Sequence, residues 1–143
     1  MNEADVIDAL KSFFAAMGKW EADCKALYRA AKTTSTAAAH EELKKYSLSE
    51  LRKIFREFCT TWETPARARF GWPHFSTIPT YGEELETVLT VEVHGDEATV
   101  LTQQTTGPKD KLVYRLKYCE GKWRIEDNRK RVDLDGDEVD WDL

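Results

Sequence analysis

Six carboxylates fall within eleven residues at one end of the chain: Asp133, Asp135, Asp137, Glu138, Asp140 and Asp142, with no lysine or arginine among them. One sign of charge on a short segment speeds association with a partner of the opposite sign. Val139 and Trp141 alternate with Asp140 and Asp142, so one face of the segment can add an apolar anchor. Asp133, Asp135, Asp137, Glu138, Asp140 and Trp141 are therefore the expected contacts with a basic protein partner. The competing expectation is an edge hairpin, with Trp141 packed on a sheet. Asp133-Leu134-Asp135-Gly136-Asp137 superficially resembles a calcium loop, but the sixth position of such a loop is glycine and here is Glu138.

Other chemistry is sparse. The seven glycines form no phosphate-binding loop, and His40, His74 and His94 are isolated, with no HExxH spacing. No metal or cofactor is expected. Cys24, Cys59 and Cys119 make no CxxC pair, and Cys24 and Cys59 continue apolar helical stripes, as small core residues do. Free buried thiols suit a reducing compartment. General acid–base chemistry would have to come from Tyr114, Tyr118, His94 or an acid of the first helix, meeting in a pocket under a curved sheet. Tyrosines on the apolar face of a strand serve the core more often than they serve catalysis. Two basic features, Arg67 with Arg69 and the run Arg129-Lys130-Arg131, could hold single-stranded nucleic acid. The simpler reading of Arg129–Arg131 is local neutralisation of Asp133, Asp135 and Asp137.

The elements that position these residues are read from periodicity. Val6, Leu10, Phe13, Phe14, Met17, Trp20, Cys24, Leu27 and Tyr28 recur at helical spacing, which predicts one helix over about 3–31 despite Gly18. A short helix is expected near 37–46. Ser47-Leu48-Ser49-Glu50 has the form of a capping box, so a third helix is expected from Leu48 to about Thr60, burying Leu48, Leu51, Ile54, Phe55, Phe58 and Cys59. Residues 61–82 hold Pro65, Pro73 and Pro79 together with Trp62, Phe70, Trp72, Phe75 and Tyr81. They are expected to wrap over the core in turns and short strands. From residue 83 the period becomes two. Thr87, Leu89, Val91 and Val93 are expected on one face of the first strand. Ala98, Val100 and Thr102 follow, then Leu112, Tyr114, Leu116 and Tyr118, then Trp123 and Ile125 on a strand over Lys122–Asp127. Gly95-Asp96, Gly107-Pro108 and Glu120-Gly121 mark the turns. The fold expected is α+β: three N-terminal helices on a curved antiparallel sheet.

Length and composition bound the reading. The chain has 143 residues, the length of one ordinary domain. The expected division is a single domain over 1–143, with helices over about 3–60, an aromatic loop over 61–82, a sheet over about 83–131 and an acidic tail over 132–143. Five Trp, five Tyr and six Phe are too many for a disordered chain. The net charge of −5 resides in the acidic end, and a nearly neutral body gives no general case for nucleic-acid binding. No apolar run approaches the ~20 residues of a membrane span, and the acidic N-terminus is unlike a secretory signal. A cytoplasmic protein is expected.

The element order resembles the nuclear transport factor 2-like cone. Within that superfamily the chain resembles the immunity proteins of bacterial polymorphic toxin systems. The resemblance rests on Met17-Gly18-Lys19-Trp20-Glu21, Thr64-Pro65-Ala66-Arg67-Ala68-Arg69 with Pro73, and Tyr81-Gly82-Glu83-Glu84. It continues through Ala98-Thr99-Val100-Leu101-Thr102-Gln103-Gln104 and Tyr114-Arg115-Leu116-Lys117-Tyr118 to Gly121-Lys122-Trp123-Arg124-Ile125. It covers about residues 5–130. It implies a binding protein without catalytic residues, which sequesters a cognate toxin domain in the cytoplasm of the producing cell by blocking its active site or substrate entry. A toxin with a basic cleft would suit the acidic tail. The alternative is a small-ligand-binding protein or acid–base enzyme using the cone pocket. Trp20, Tyr28, Trp62, Trp72 and Trp123 are bulky enough to fill such a cone, which favours the inhibitor.

Overall fold

The computed structural model describes residues 2–34, 37–60, 85–106, 109–126 and 128–142. The aromatic and proline-rich segment 61–82, with Arg67, Arg69, Trp62 and Trp72, lies outside the described residues.

Helix α1 spans Glu3–Thr34, roughly 48 Å at 1.5 Å per residue. Its first turn is closed reciprocally. Asp5 N donates to Asn2 Oδ1 at 3.0 Å, and Asn2 N donates to Asp5 Oδ2 at 3.2 Å. The predicted stripe is buried from Val6 through Leu10, Phe13, Phe14, Met17 and Trp20 to Cys24. Beyond Cys24 the helix leans out of the core, leaving Leu27 exposed and Tyr28 half-buried.

Helix α2 spans Ala37–Phe58 without a break. Two helices were expected here, divided at Ser47, and the capping-box reading fails for a physical reason. Leu43, Ser47, Leu51 and Phe55 recur every fourth residue and are all buried, so one continuous stripe faces α1. The Ser47 hydroxyl does not cap. It donates back to Leu43 O at 2.9 Å, the intrahelical alternative open to a mid-helix serine. Glu50 pairs outward with Lys53 at 2.9 Å. The chain therefore has two N-terminal helices among the described residues, not three.

The helices form an antiparallel hairpin: Phe13 packs on Phe55 and Phe58, Trp20 reaches Ser47, and Tyr28 meets His40. The Trp20 Nε1–H donates to Ser47 O at 3.0 Å, which satisfies a buried indole against the backbone of the other helix.

Six strands follow among the described residues: β1 (Glu86–His94), β2 (Glu97–Gln104), β3 (Lys111–Cys119), β4 (Lys122–Ile125), β5 (Asn128–Val132) and β6 (Glu138–Asp142). All pair antiparallel in the order β1-β2-β3-β5-β6, with β4 also on β3. Strand β3 is the hub. Its first half, Lys111–Val113, pairs β5, and its second half, Leu116–Cys119, pairs β4. The β3–β4 turn puts Glu120 and Gly121 at φ 55° and 82°, the left-handed pair of a tight hairpin. Strand β4 is shorter than expected, ending at Ile125. Thr60 N donates to Ile125 O at 2.9 Å, tying the end of α2 to it. Arg124 strengthens that tie by donating from Nη1 to Arg56 O at 2.6 Å, a basic side chain on the last carbonyls of a helix.

One sheet face packs on the helices. Ala98, Val100, Thr102, Leu112, Tyr114, Leu116, Trp123 and Ile125 are buried there, as the alternation predicts. Phe14 meets the Tyr114 ring edge-on at 5.5 Å. Strand β1 departs from its expected alternation. Val88 pairs Thr102 but Thr90 pairs Leu101, so a bulge at Leu89 changes the phase. Val88, Val91 and Val93 pack on the core, while Leu89, expected beside them, is 42% exposed.

Residues 132–143 were expected as an acidic tail, with an edge hairpin as the competing expectation. Strand β6 pairs with β5, which pairs with β3, so the backbone takes the hairpin form at the far edge of the sheet.

Candidate functional site

Three candidates for acid–base chemistry are kept apart. Tyr114 is fully enclosed, Tyr118 is half-buried against Trp123, and His94 is exposed at the β1–β2 turn, 3.9 Å from Glu92. Tyr114 has a partner that periodicity missed. The bulge turns Glu86 inward, where it is 9% exposed. Its Oε1 accepts from Tyr114 OH at 2.8 Å and from Thr102 Oγ1 at 2.6 Å. A buried carboxylate held by two hydroxyl donors is satisfied, and the three residues staple β1, β2 and β3 across the core. Glu86 falls on the expected polar face of β1, so only the phase change reveals it.

The acidic segment is built as a hairpin with a rigid tip. The Asp133 carboxylate faces inward, its Oδ1 accepting from Asp135 N at 3.0 Å and Asp137 N at 2.8 Å. Asp133 N donates to Asp137 O at 2.8 Å, and Gly136 adopts φ 84° to complete the turn. Glu138 is also engaged. Arg115 Nη2 donates to both of its carboxylate oxygens, at 3.1 and 2.9 Å. Asp135 and Asp137 keep exposed carboxylates with no hydrogen bond or ion pair among the described residues. Leu134, fully exposed between them, was not singled out by periodicity; a leucine inside an Asp-rich turn was its signal. The backbone register sets Asp140 opposite Lys130 and Trp141 opposite Arg129. The side chains of Arg129, Asp140, Trp141 and Asp142 lie outside the described residues. The expected neutralisation of Asp133, Asp135 and Asp137 by Arg129–Arg131 involves the Arg129 side chain, outside the described residues; Glu138, not one of those three acids, pairs with Arg115.

Grooves open beside the helices among the described residues. One, of about 190 Å³, runs between α1 and α2 over Trp20, Cys24, Tyr46 and Ile54. Burial pushes the Cys24 thiol up from its ordinary range, and a hydrogen bond with Ser47 partly opposes this. Another, of about 440 Å³, lies where the start of α1, the end of α2 and the β3–β4 turn meet. Among the described residues no group of three His, Cys, Asp or Glu is arranged to hold a metal ion, and no helix is long and apolar enough to cross a membrane.

Two N-terminal helices followed by a bent antiparallel sheet are consistent with the expected cone. The description "NTF2 fold immunity protein" belongs to a family whose model matches residues 5–141. The chain belongs to that family. Among curated proteins, Immunity protein RhsIA of Dickeya dadantii (strain 3937) is 31% identical over 117 residues, covering 82% of this chain and 80% of the relative. No solved structure matches. For an NTF2 fold immunity protein, the family supports an immunity function. The match extends past residue 130, where the resemblance stopped, to take in the end of β5 and all but the last residue of β6. The acidic hairpin thus lies within the matched residues.

Proposed function

We propose that this protein binds the toxin domain of a cognate polymorphic toxin in the cytoplasm of the producing cell and blocks its active site or substrate entry, without catalysis of its own. The observation that carries this reading is the family match over residues 5–141. The acidic hairpin supplies a physical means. Asp135 and Asp137 present charge unpaired among the described residues, Leu134 presents an apolar side chain, and the Asp133 turn holds all three in place before the partner arrives. Preorganisation lowers the ordering cost of association. Asp140 and Trp141 follow the tip on β6 and are proposed as further contacts. A toxin that acts on nucleic acid or nucleotides carries a basic cleft into which such a tip fits.

The test is co-expression with the toxin encoded beside this gene. Growth is restored by the protein, and a stable complex is recovered by size exclusion. Tyr118→Phe and His94→Ala retain full protection. Absence of both protection and complex refutes the reading. Lost protection by either variant, while it still folds and binds, points to an enzyme.

A further inference from the structure

The 440 Å³ groove at the junction of α1, α2 and the β3–β4 turn has a chemistry that the hairpin does not share. Asp8 of α1 and Glu57 of α2 line it from different helices, and neither carboxylate has a partner among the described residues. Phe58, Tyr118 and Trp123 supply its aromatic surface, with the Tyr118 and Trp123 rings edge-on at 5.4 Å. The protein's own Lys122 ammonium sits 5.9 Å from the Phe58 centroid, so this surface already attracts a cation. Trp123 is 5% exposed, and its Nε1–H is enclosed without an acceptor among the described residues, so the indole meets the groove with its ring rather than its donor.

We infer that this groove receives an arginine side chain of the toxin, its guanidinium set between the Asp8 and Glu57 carboxylates and over the aromatic surface. The inference rests on the immunity reading for the identity of the partner alone. The chemistry selects arginine. A guanidinium presents five donors in a plane, can bridge carboxylates on two helices and stacks on aromatic rings, whereas an ammonium is a compact point charge. Acid on the rim and aromatic surface beneath together fit a planar basic side chain.

The experiment needs no toxin. The full chain labelled with ¹⁵N is titrated with N-acetyl-arginine N-methylamide while the Trp123 indole resonance is followed. The resonance shifts and saturates at millimolar probe. The isosteric neutral citrulline derivative and the lysine derivative bind at least several-fold more weakly. Asp8→Asn with Glu57→Gln weakens arginine about fivefold, from two exposed charge contacts of ordinary strength, with the remaining spectrum unchanged. Equal binding of citrulline and arginine, or no saturating shift at 100 mM, overturns the proposal. A Trp123 shift that depends on protein concentration alone overturns it in favour of a second copy of this chain. Co-expression separates the two readings: a protein that protects cells but ignores the arginine probe keeps its immunity function and loses this groove.

Discussion

The Tyr114 hydroxyl on β3 reaches across β2 to Glu86 on β1, donating to Oε1 at 2.8 Å, with Thr102 of the intervening strand donating to the same oxygen. The first prediction concerns this staple. Tyr114→Phe removes one of two donors from a buried carboxylate and costs about 1–3 kcal/mol. Glu86→Gln costs less in the Tyr114→Phe background than alone. Urea unfolding of the four proteins of this cycle measures the coupling, and additive losses would show that the two residues act independently.

Continuity of α2 is tested at Ser49. Proline is tolerated in the first turn of a helix, where a cap at Ser47 would put residue 49. Inside α2 it removes a backbone hydrogen bond and clashes with the preceding turn. Ser49→Pro is expected to cost about 3 kcal/mol or more. A loss below about 1 kcal/mol in thermal unfolding would restore the capping box.

Phe55 and Phe58, both assigned to the buried stripe of the expected third helix, should separate. Phe55 is enclosed against Phe13, and Phe55→Ala costs about 3–5 kcal/mol. Phe58 is half-buried and lines the open groove, so Phe58→Ala costs about 1–2 kcal/mol, in proportion to the smaller area it removes from water. Denaturant midpoints at unchanged slope give both values.

The thiols should differ in reactivity. Cys24 and Cys59 are buried, and Cys119 is half-exposed. A thiol-reactive disulfide reagent modifies Cys119 in the native protein and the other two only on unfolding. Because burial raises the Cys24 thiol, the folded state holds its proton more tightly than the unfolded chain. The resulting contribution is fully present below the ordinary thiol range and is lost as pH rises through and above it. Cys24→Ala should therefore flatten the decline of stability at alkaline pH relative to the parent. An unchanged alkaline slope counts against that assignment.

The hairpin tip separates charge from shape. Asp135→Asn with Asp137→Asn slows toxin association at low salt, and the difference shrinks at high salt. Leu134→Ala raises the dissociation rate and does so at every salt concentration. Glu138→Gln breaks the Arg115 pair and acts on the hairpin, lowering stability by less than about 1 kcal/mol because both side chains are about 40% exposed. Stopped-flow rates at two salt concentrations decide it, and an unchanged low-salt association rate for the Asp135/Asp137 variant removes the steering.

Local periodicity was enough wherever one face of an element is buried along its length. The stripe of α1 to Cys24 and the alternation of β2, β3 and β4 are legible because burial repeats with the period of the backbone. The family was legible too, in an ordered set of motifs that runs from Met17 to Ile125. Tertiary contact decided the rest. Ser47 and Glu50 satisfy the local rule for a helix start, but a stripe facing α1 and a bond from Trp20 make Ser47 a mid-helix residue. Glu86 belongs to the polar parity of β1 until the bulge at Leu89 changes the phase and brings it to Tyr114. The six acids near the C-terminus look like a solvated tail because like charges repel in sequence. Pairing with β5 spreads them along an edge strand, where Asp133 turns inward to backbone N–H groups and Glu138 finds Arg115, twenty-three residues away. Such partners are set by strand register, and register depends on the whole sheet rather than on any one segment of the chain.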